Sequence, residues 1–91
     1  MVEISVLEAR IKNGIPDVTH VAIEDLTGGK DHFQAVVVSS AFATQSRIEQ
    51  HQSVYRALGE LMDGPVHALA LKTMTPEAYE TTKKKTLGQL R

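Results

Sequence analysis

The chain has 91 residues and no cysteine, and its 10 lysines and arginines against 11 aspartates and glutamates leave a formal charge of -1. That length supports one domain with one modest core, and a cysteine-free chain excludes disulfides and any thiolate-held zinc or iron–sulfur site of its own making. The charge lacks the positive excess with which strong nucleic-acid binders neutralise phosphates.

In chain order, Ile4, Leu7 and Ile11 recur at helical spacing with Glu3, Glu8, Arg10 and Lys12 around the rest of the wheel, which predicts an amphipathic helix. Asn13-Gly14 can take the left-handed conformation that ends it, and Pro16 prevents its resumption. From Thr19 to Asp25 the residues alternate, Val21 and Ile23 on one face and His20, Ala22 and Glu24 on the other, as in a strand with one buried face. Thr27-Gly28-Gly29-Lys30-Asp31 is turn chemistry, and His32 to Ser39 is a second, valine-rich strand, so the two form an antiparallel hairpin. The run Val36-Val37-Val38 is apolar on both faces, which suits a central strand.

Ala41 and Phe42 fit a short helical turn before Ser46 and Glu49, whose spacing is that of a capping box. The helix this box opens carries Ile48, His51, Tyr55, Leu58 and Met62 along one stripe and is closed by Gly64-Pro65. Val66 to Thr73 reads as a third strand, with His67, Leu69 and Leu71 on one face and Val66, Ala68, Ala70 and Lys72 on the other. Thr75-Pro76-Glu77 starts a last helix with a capping threonine, a first-turn proline and an acid at the positive end of the dipole. The fold class is therefore α+β, in the order αββ(α)αβα, a three-stranded mixed sheet with helices packed on one face. A helical crossover makes the third strand parallel to a member of the hairpin. Residues 1–80 form the single domain, and 81–91, with Lys83-Lys84-Lys85, a frayed helix end or mobile tail.

Catalytic patterns are missing. Ser39, Ser40, Ser46 and Ser53 have no paired base in a motif, and neither an H-E-x-x-H sequence nor a paired-carboxylate pattern occurs, so an enzyme is not expected. Gly28-Gly29 precedes a strand and lacks a nucleotide-binding pattern. Among the histidines, His67 reads from periodicity as a packed ring beside Leu69 and Leu71. His32 reads as a strand-entry residue at the loop's end, His51 as a half-buried ring bonded to backbone, and His20 as exposed. No apolar run approaches the roughly 18–20 residues that span a bilayer, and Met1-Val2-Glu3-Ile4-Ser5 carries no leader pattern. The expectation is a cytoplasmic protein without membrane partners, a monomer or weak dimer when free.

Three stretches resemble the BolA-like family in order and spacing. They are His32-Phe33-Gln34-Ala35-Val36-Val37-Val38-Ser39 with Phe42, then Gln50 to Leu58, then Val66-His67-Ala68-Leu69-Ala70-Leu71-Lys72-Thr73-Met74-Thr75-Pro76-Glu77. The resemblance runs from about Glu8 to Tyr79 and is most specific from His67 to Glu77. It implies a fold similar to type II KH domains and partnership with a monothiol glutaredoxin, in which the two proteins and glutathione share a [2Fe-2S] cluster. The family's third-strand histidine falls on His67, which the resemblance makes a metal ligand. Many members carry a cysteine or a further histidine in the first hairpin loop; here Lys30 stands where the thiol would be, and His32 is the nearest candidate for a second ligand. The resemblance also implies an alternative role as a KH-like nucleic-acid-binding module or transcriptional regulator, for which Arg47, Arg56 and Lys72 are the candidate contacts. Against it, Ala43-Thr44-Gln45-Ser46 lacks the glycine-rich turn with which KH domains grip single strands, and Gln50 and Gln52 stand where many members have arginine.

Overall fold

Ile4, Leu7 and Ile11 do form the inner stripe of a helix, α1 (Ile4–Gly14), with Leu7 and Ile11 buried. The computed structural model describes residues 2–29, 32–63 and 68–89. The end of α1 differs from the expectation. Gly14 stays helical, Ile15 is extended, and the left-handed backbone falls on Asp17 (φ 56°). Glycine at position 14 serves a close approach instead. A Cβ there would lie 2.6 Å from the Cβ and 3.0 Å from the Cα of Ala57 in α2 (Arg47–Leu58), closer than any real contact. Gly14→Ala improves helix propensity by about 1 kcal/mol, yet the overpacking should outweigh it, for a net loss of about 1–3 kcal/mol. A urea midpoint that falls at constant slope is the check.

Three strands, β1 (Val18–Asp25), β2 (His32–Ser39) and β3 (Ala68–Met74), make one sheet in the order β1-β2-β3. The β1–β2 pair is antiparallel, with Val21 opposite Val37 and Ile23 opposite Ala35, and has an irregularity between Val18 and His20. The β2–β3 pair is parallel, from His32 opposite Ala68 to Val38 opposite Met74. β2 is central, as the valine run implies, and Phe33, Ala35, Val37 and Val38 are all buried. Alternation then assigns the faces. Phe33 and Val37 with Val21, Ile23, Leu69 and Leu71 face α1 and α2, where Phe42, Val54 and Leu58 complete the core.

Helices cover this face as expected for α1 and α2. The third, α3 (Pro76–Gln89), sends Tyr79 to the opposite face, where it meets His20. The two rings stack at 4.7 Å with 25° between their planes, and the Tyr79 hydroxyl lies 3.2 Å from His20 Nε2. His20 is thus half-buried, not exposed as its sequence position suggested. An aromatic lid from a distant helix leaves no trace in the periodicity of a strand. The rest of this face keeps Ala22, Glu24, Ala70 and Lys72 exposed. The start signal at Thr75 behaves as its chemistry requires, its hydroxyl oxygen accepting from the Ala78 N–H at 3.3 Å.

The short connector forms a 3-10 turn over Ser40–Thr44 that buries Phe42. Ser39 ties it to the start of β1. Its buried hydroxyl donates to the Pro16 carbonyl at 2.6 Å and accepts from the Ala41 N–H at 3.1 Å. The capping box is present. Ser46 Oγ accepts from the Glu49 N–H at 3.2 Å and Glu49 Oε1 from the Ser46 N–H at 2.8 Å.

The stripe of α2 is a correction. Ile48 is 71% exposed and Tyr55 39% exposed, while Val54 and Leu58 are buried and Gln50 is half-buried. Gln50 can sit inward because its polar atoms are occupied. Its Nε2 donates to the carbonyls of Phe42 (3.1 Å) and Gln45 (3.0 Å), and its Oε1 accepts from the Thr73 hydroxyl at 2.7 Å. The helix also ends earlier, at Leu58. Gly59 (φ 55°) closes it, and Gly59–Asp63 is a 3-10 turn. Gly64 and Pro65, expected to close it, lie outside the described residues. The observed order of helices and strands is compatible with the type II KH arrangement.

Candidate functional site

His32 opens β2 directly after the hairpin loop, and the loop's own chemistry fixes its entry. Asp25 Oδ1 accepts from the N–H groups of Thr27 (3.3 Å) and Gly28 (2.9 Å), and Thr27 Oγ1 accepts from Gly29 N–H at 3.2 Å. Gly28 takes φ 80°, which glycine adopts without strain. The Leu26 N–H then donates to the His32 carbonyl at 2.9 Å, closing the hairpin base. Because these amides are turned onto Asp25 and Thr27, the Gly-Gly pair is a hairpin turn and not an anion cradle. His32 itself is half-buried with its Nδ1 buried.

The parallel register sets His32 opposite Ala68, on strands that run about 4.8 Å apart. Ala68 is exposed and follows His67 by one peptide bond. His67, the principal candidate ligand, lies outside the described residues, as do Lys30 and Val66. Among the described residues no group of three or more His, Asp or Glu side chains is placed to hold a metal ion. Among the described residues the imidazole placed at that end is that of His32.

The connection toward β3 is tied to α1. Arg10 Nη2 donates to Glu60 Oε1 at 2.7 Å, and Nη1 reaches the Leu58 carbonyl at the end of α2 at 3.4 Å. The hydrogen bond from Arg10 holds the Glu60 carboxyl below the ordinary carboxylate range, and the bonds with Ser46 do the same for Glu49. A lowered folded-state pKa gives stability that is present above the unfolded pKa and is lost as pH falls through the folded one. Acid titration of Glu49→Gln or Glu60→Gln should therefore show a shallower loss of stability below pH of about 4.3 than wild type.

At the other end of the parallel pair, α2 and β3 border an open groove of about 330 Å³, lined by Arg47, His51, Leu71, Lys72, Thr73 and Met74. It brings together two of the three cations read as nucleic-acid contacts, Arg47 and Lys72, both exposed. Arg56 is not among its lining residues, being about half a helical turn around α2 from Arg47. His51 is half-buried in the groove wall, and among the described residues its ring makes no hydrogen bond, contrary to the expected contact of the ring with backbone.

The sequence marks Gln50 only as a glutamine in place of a family arginine, because an inward-facing glutamine carries no signal of its own. It sets the distance between α2 and β3 through Thr73. Gln50→Ala should cost about 1–3 kcal/mol by leaving its part-buried partners unmatched, measurable as a lower thermal midpoint.

The family described as BolA-like protein matches residues 5–78. The mouse BolA-like protein 1 is 47% identical over 52 residues, which are 57% of this chain and 38% of that protein. The DNA-binding transcriptional regulator BolA of Haemophilus influenzae is 38% identical over 53 residues, 58% of this chain and 52% of that protein. The matched segment thus spans between about two fifths and one half of the length of these curated relatives. The solved structure of a BolA homologue from Coxiella burnetii superimposes with a TM-score of 0.74 at 36% identity, covering 88% of this chain and 99% of that one. No described helix is long and apolar enough to cross a membrane.

Proposed function

This chain belongs to the BolA-like family, and on that premise we propose that it is an adaptor that docks on a monothiol glutaredoxin without catalysing a reaction. In this reading His67, together with His32, offers imidazole nitrogen to a [2Fe-2S] cluster whose sulfur ligands come from the partner and glutathione. The observation that carries it is the pairing of His32 with Ala68, which sets one candidate ligand across from the residue that follows the other. When bound, the cluster supplies a redox centre whose potential rises as imidazole replaces thiolate. The chain's own part is narrower. The Asp25–Thr27 turn fixes where His32 enters the sheet, and the parallel pair holds the two strand starts side by side.

Anaerobic co-purification with a monothiol glutaredoxin, followed by iron, sulfide and glutathione analysis, tests the reading. A complex carrying equimolar iron and sulfide is expected. A complex that forms equally well without iron and glutathione would replace it with a metal-free cover over the glutaredoxin's site, and no complex at all would end it.

Nucleic-acid binding is the second reading, favoured by the shared groove position of Arg47 and Lys72 and by the name of the Haemophilus relative. The capping box opposes it at the start of α2, where Glu49 takes up the amide that a phosphate would use. Two cations in one groove predict a shallow salt dependence, with a logarithmic slope of about −1.4 to −1.8.

A further inference from the structure

β3 is an edge strand. β2 pairs with one side of it, and among the described residues no strand pairs with the other. Its carboxy-terminal half, from Leu71 to Met74, forms one wall of the groove whose other wall is α2. An edge strand beside a helix leaves a row of backbone donors and acceptors open to an added strand, with the helix available to grip alternate side chains. The groove's chemistry selects what is added. Leu71 and Met74 give it apolar surface, Arg47 and Lys72 give it two exposed cations, and among the described residues no acid lines it, although the chain as a whole carries a formal charge of -1.

The opposite edge of the sheet is blunted. β1 carries an irregularity between Val18 and His20, a feature that interrupts regular pairing, and ends in Glu24 and Asp25.

We propose that the α2–β3 groove binds an extended acidic peptide segment of a client protein as a fourth strand. The peptide backbone pairs with the free edge of β3, an apolar side chain on the α2 face lies over Leu71, and carboxylates on that face and on the opposite one meet Arg47 and Lys72 respectively. The groove is three to six residues along β3 from the His32–Ala68 pair, about 10–20 Å. An occupant there leaves the histidine end accessible, so one end of the sheet can hold a cluster partner while the other holds its client.

The test uses the full chain and fluorescein-labelled nine-residue peptides with a central leucine flanked by glutamates, alongside the glutamine counterpart and a single-stranded oligonucleotide. The acidic peptide should bind roughly tenfold more tightly than the glutamine peptide. The double variant Arg47→Gln/Lys72→Gln should lose roughly five- to tenfold of that affinity with its far-ultraviolet circular dichroism unchanged. Amide exchange should slow at alternate residues of β3, those pointing away from β2. Equal binding of the two peptides, affinity indifferent to the double variant, slowed amides confined to other elements, or an oligonucleotide that outcompetes the acidic peptide would each overturn the proposal. Neither iron nor glutaredoxin enters these measurements, so their failure and a failure of the cluster reading are separate results.

Discussion

His67→Ala, mixed with a cluster-loaded monothiol glutaredoxin, is expected to leave the visible absorption and circular dichroism as they are for the glutaredoxin alone, whereas the wild-type chain changes both. The chain has no thiol, so it can meet iron only through nitrogen or oxygen. Removing the imidazole at position 67 removes the donor that the family resemblance singles out. Visible circular dichroism reports ligand identity and chirality at the cluster, which a merely structural residue would not alter. His32→Ala should give a partial change, because its backbone register is kept by the Leu26–His32 hydrogen bond and the pairing with Ala68. A spectrum of His67→Ala complex identical to wild type would remove the ligand assignment and leave the fold untouched. Far-ultraviolet circular dichroism of the free variant separates that result from unfolding.

Phe33→Ala should be the most damaging single change in the core, at about 3–5 kcal/mol. Phe33 is fully buried on the central strand, between Asp25 and Leu69 in the register, and is one of the two largest side chains sealed in the core. Its loss removes the transfer free energy of a ring and leaves a cavity that a three-stranded sheet fixed on both sides cannot collapse to fill. A domain of this size holds only about 5–15 kcal/mol in total, so the thermal midpoint should fall by more than about 10 °C. Phe33 also follows His32 directly, so the histidine should move more freely in the variant. Amide exchange at His32 and Gln34 that rises beyond the global change would register this. A loss under about 1 kcal/mol would mean that the core repacks around the gap.

Local chemistry carried most of the fold. The spacing of Ile4, Leu7 and Ile11, the alternation through Val21 and Ile23, and the Ser46–Glu49 box each specify an element through contacts a few residues apart. What failed depended on distant partners. Ile48 and Tyr55 fit an apolar stripe, but the inward position went to Gln50, whose amide is satisfied by Phe42, Gln45 and Thr73. α1 does end at Gly14, but not through a left-handed glycine: Gly14 is required by the close approach of Ala57 on another helix. His20 looked exposed until Tyr79 arrived from α3. At the candidate site, His32 and His67 stand out only through the family resemblance, since periodicity reads a histidine beside leucines as core. That Arg47 and Lys72 share a groove follows from parallel pairing across a crossover, which no short window contains, whereas the absence of Arg56 follows from the period of α2 itself.

The parallel pairing of β2 with β3 has a consequence for biosynthesis. The β1–β2 hairpin can close as soon as its two strands have left the ribosome, because its contacts are near in sequence. The junction of His32 with Ala68 must wait for the whole crossover to be synthesised and docked. A nascent or half-folded chain therefore keeps His32 away from the start of β3, and the junction that the proposed reading depends on forms only with completion of that strand.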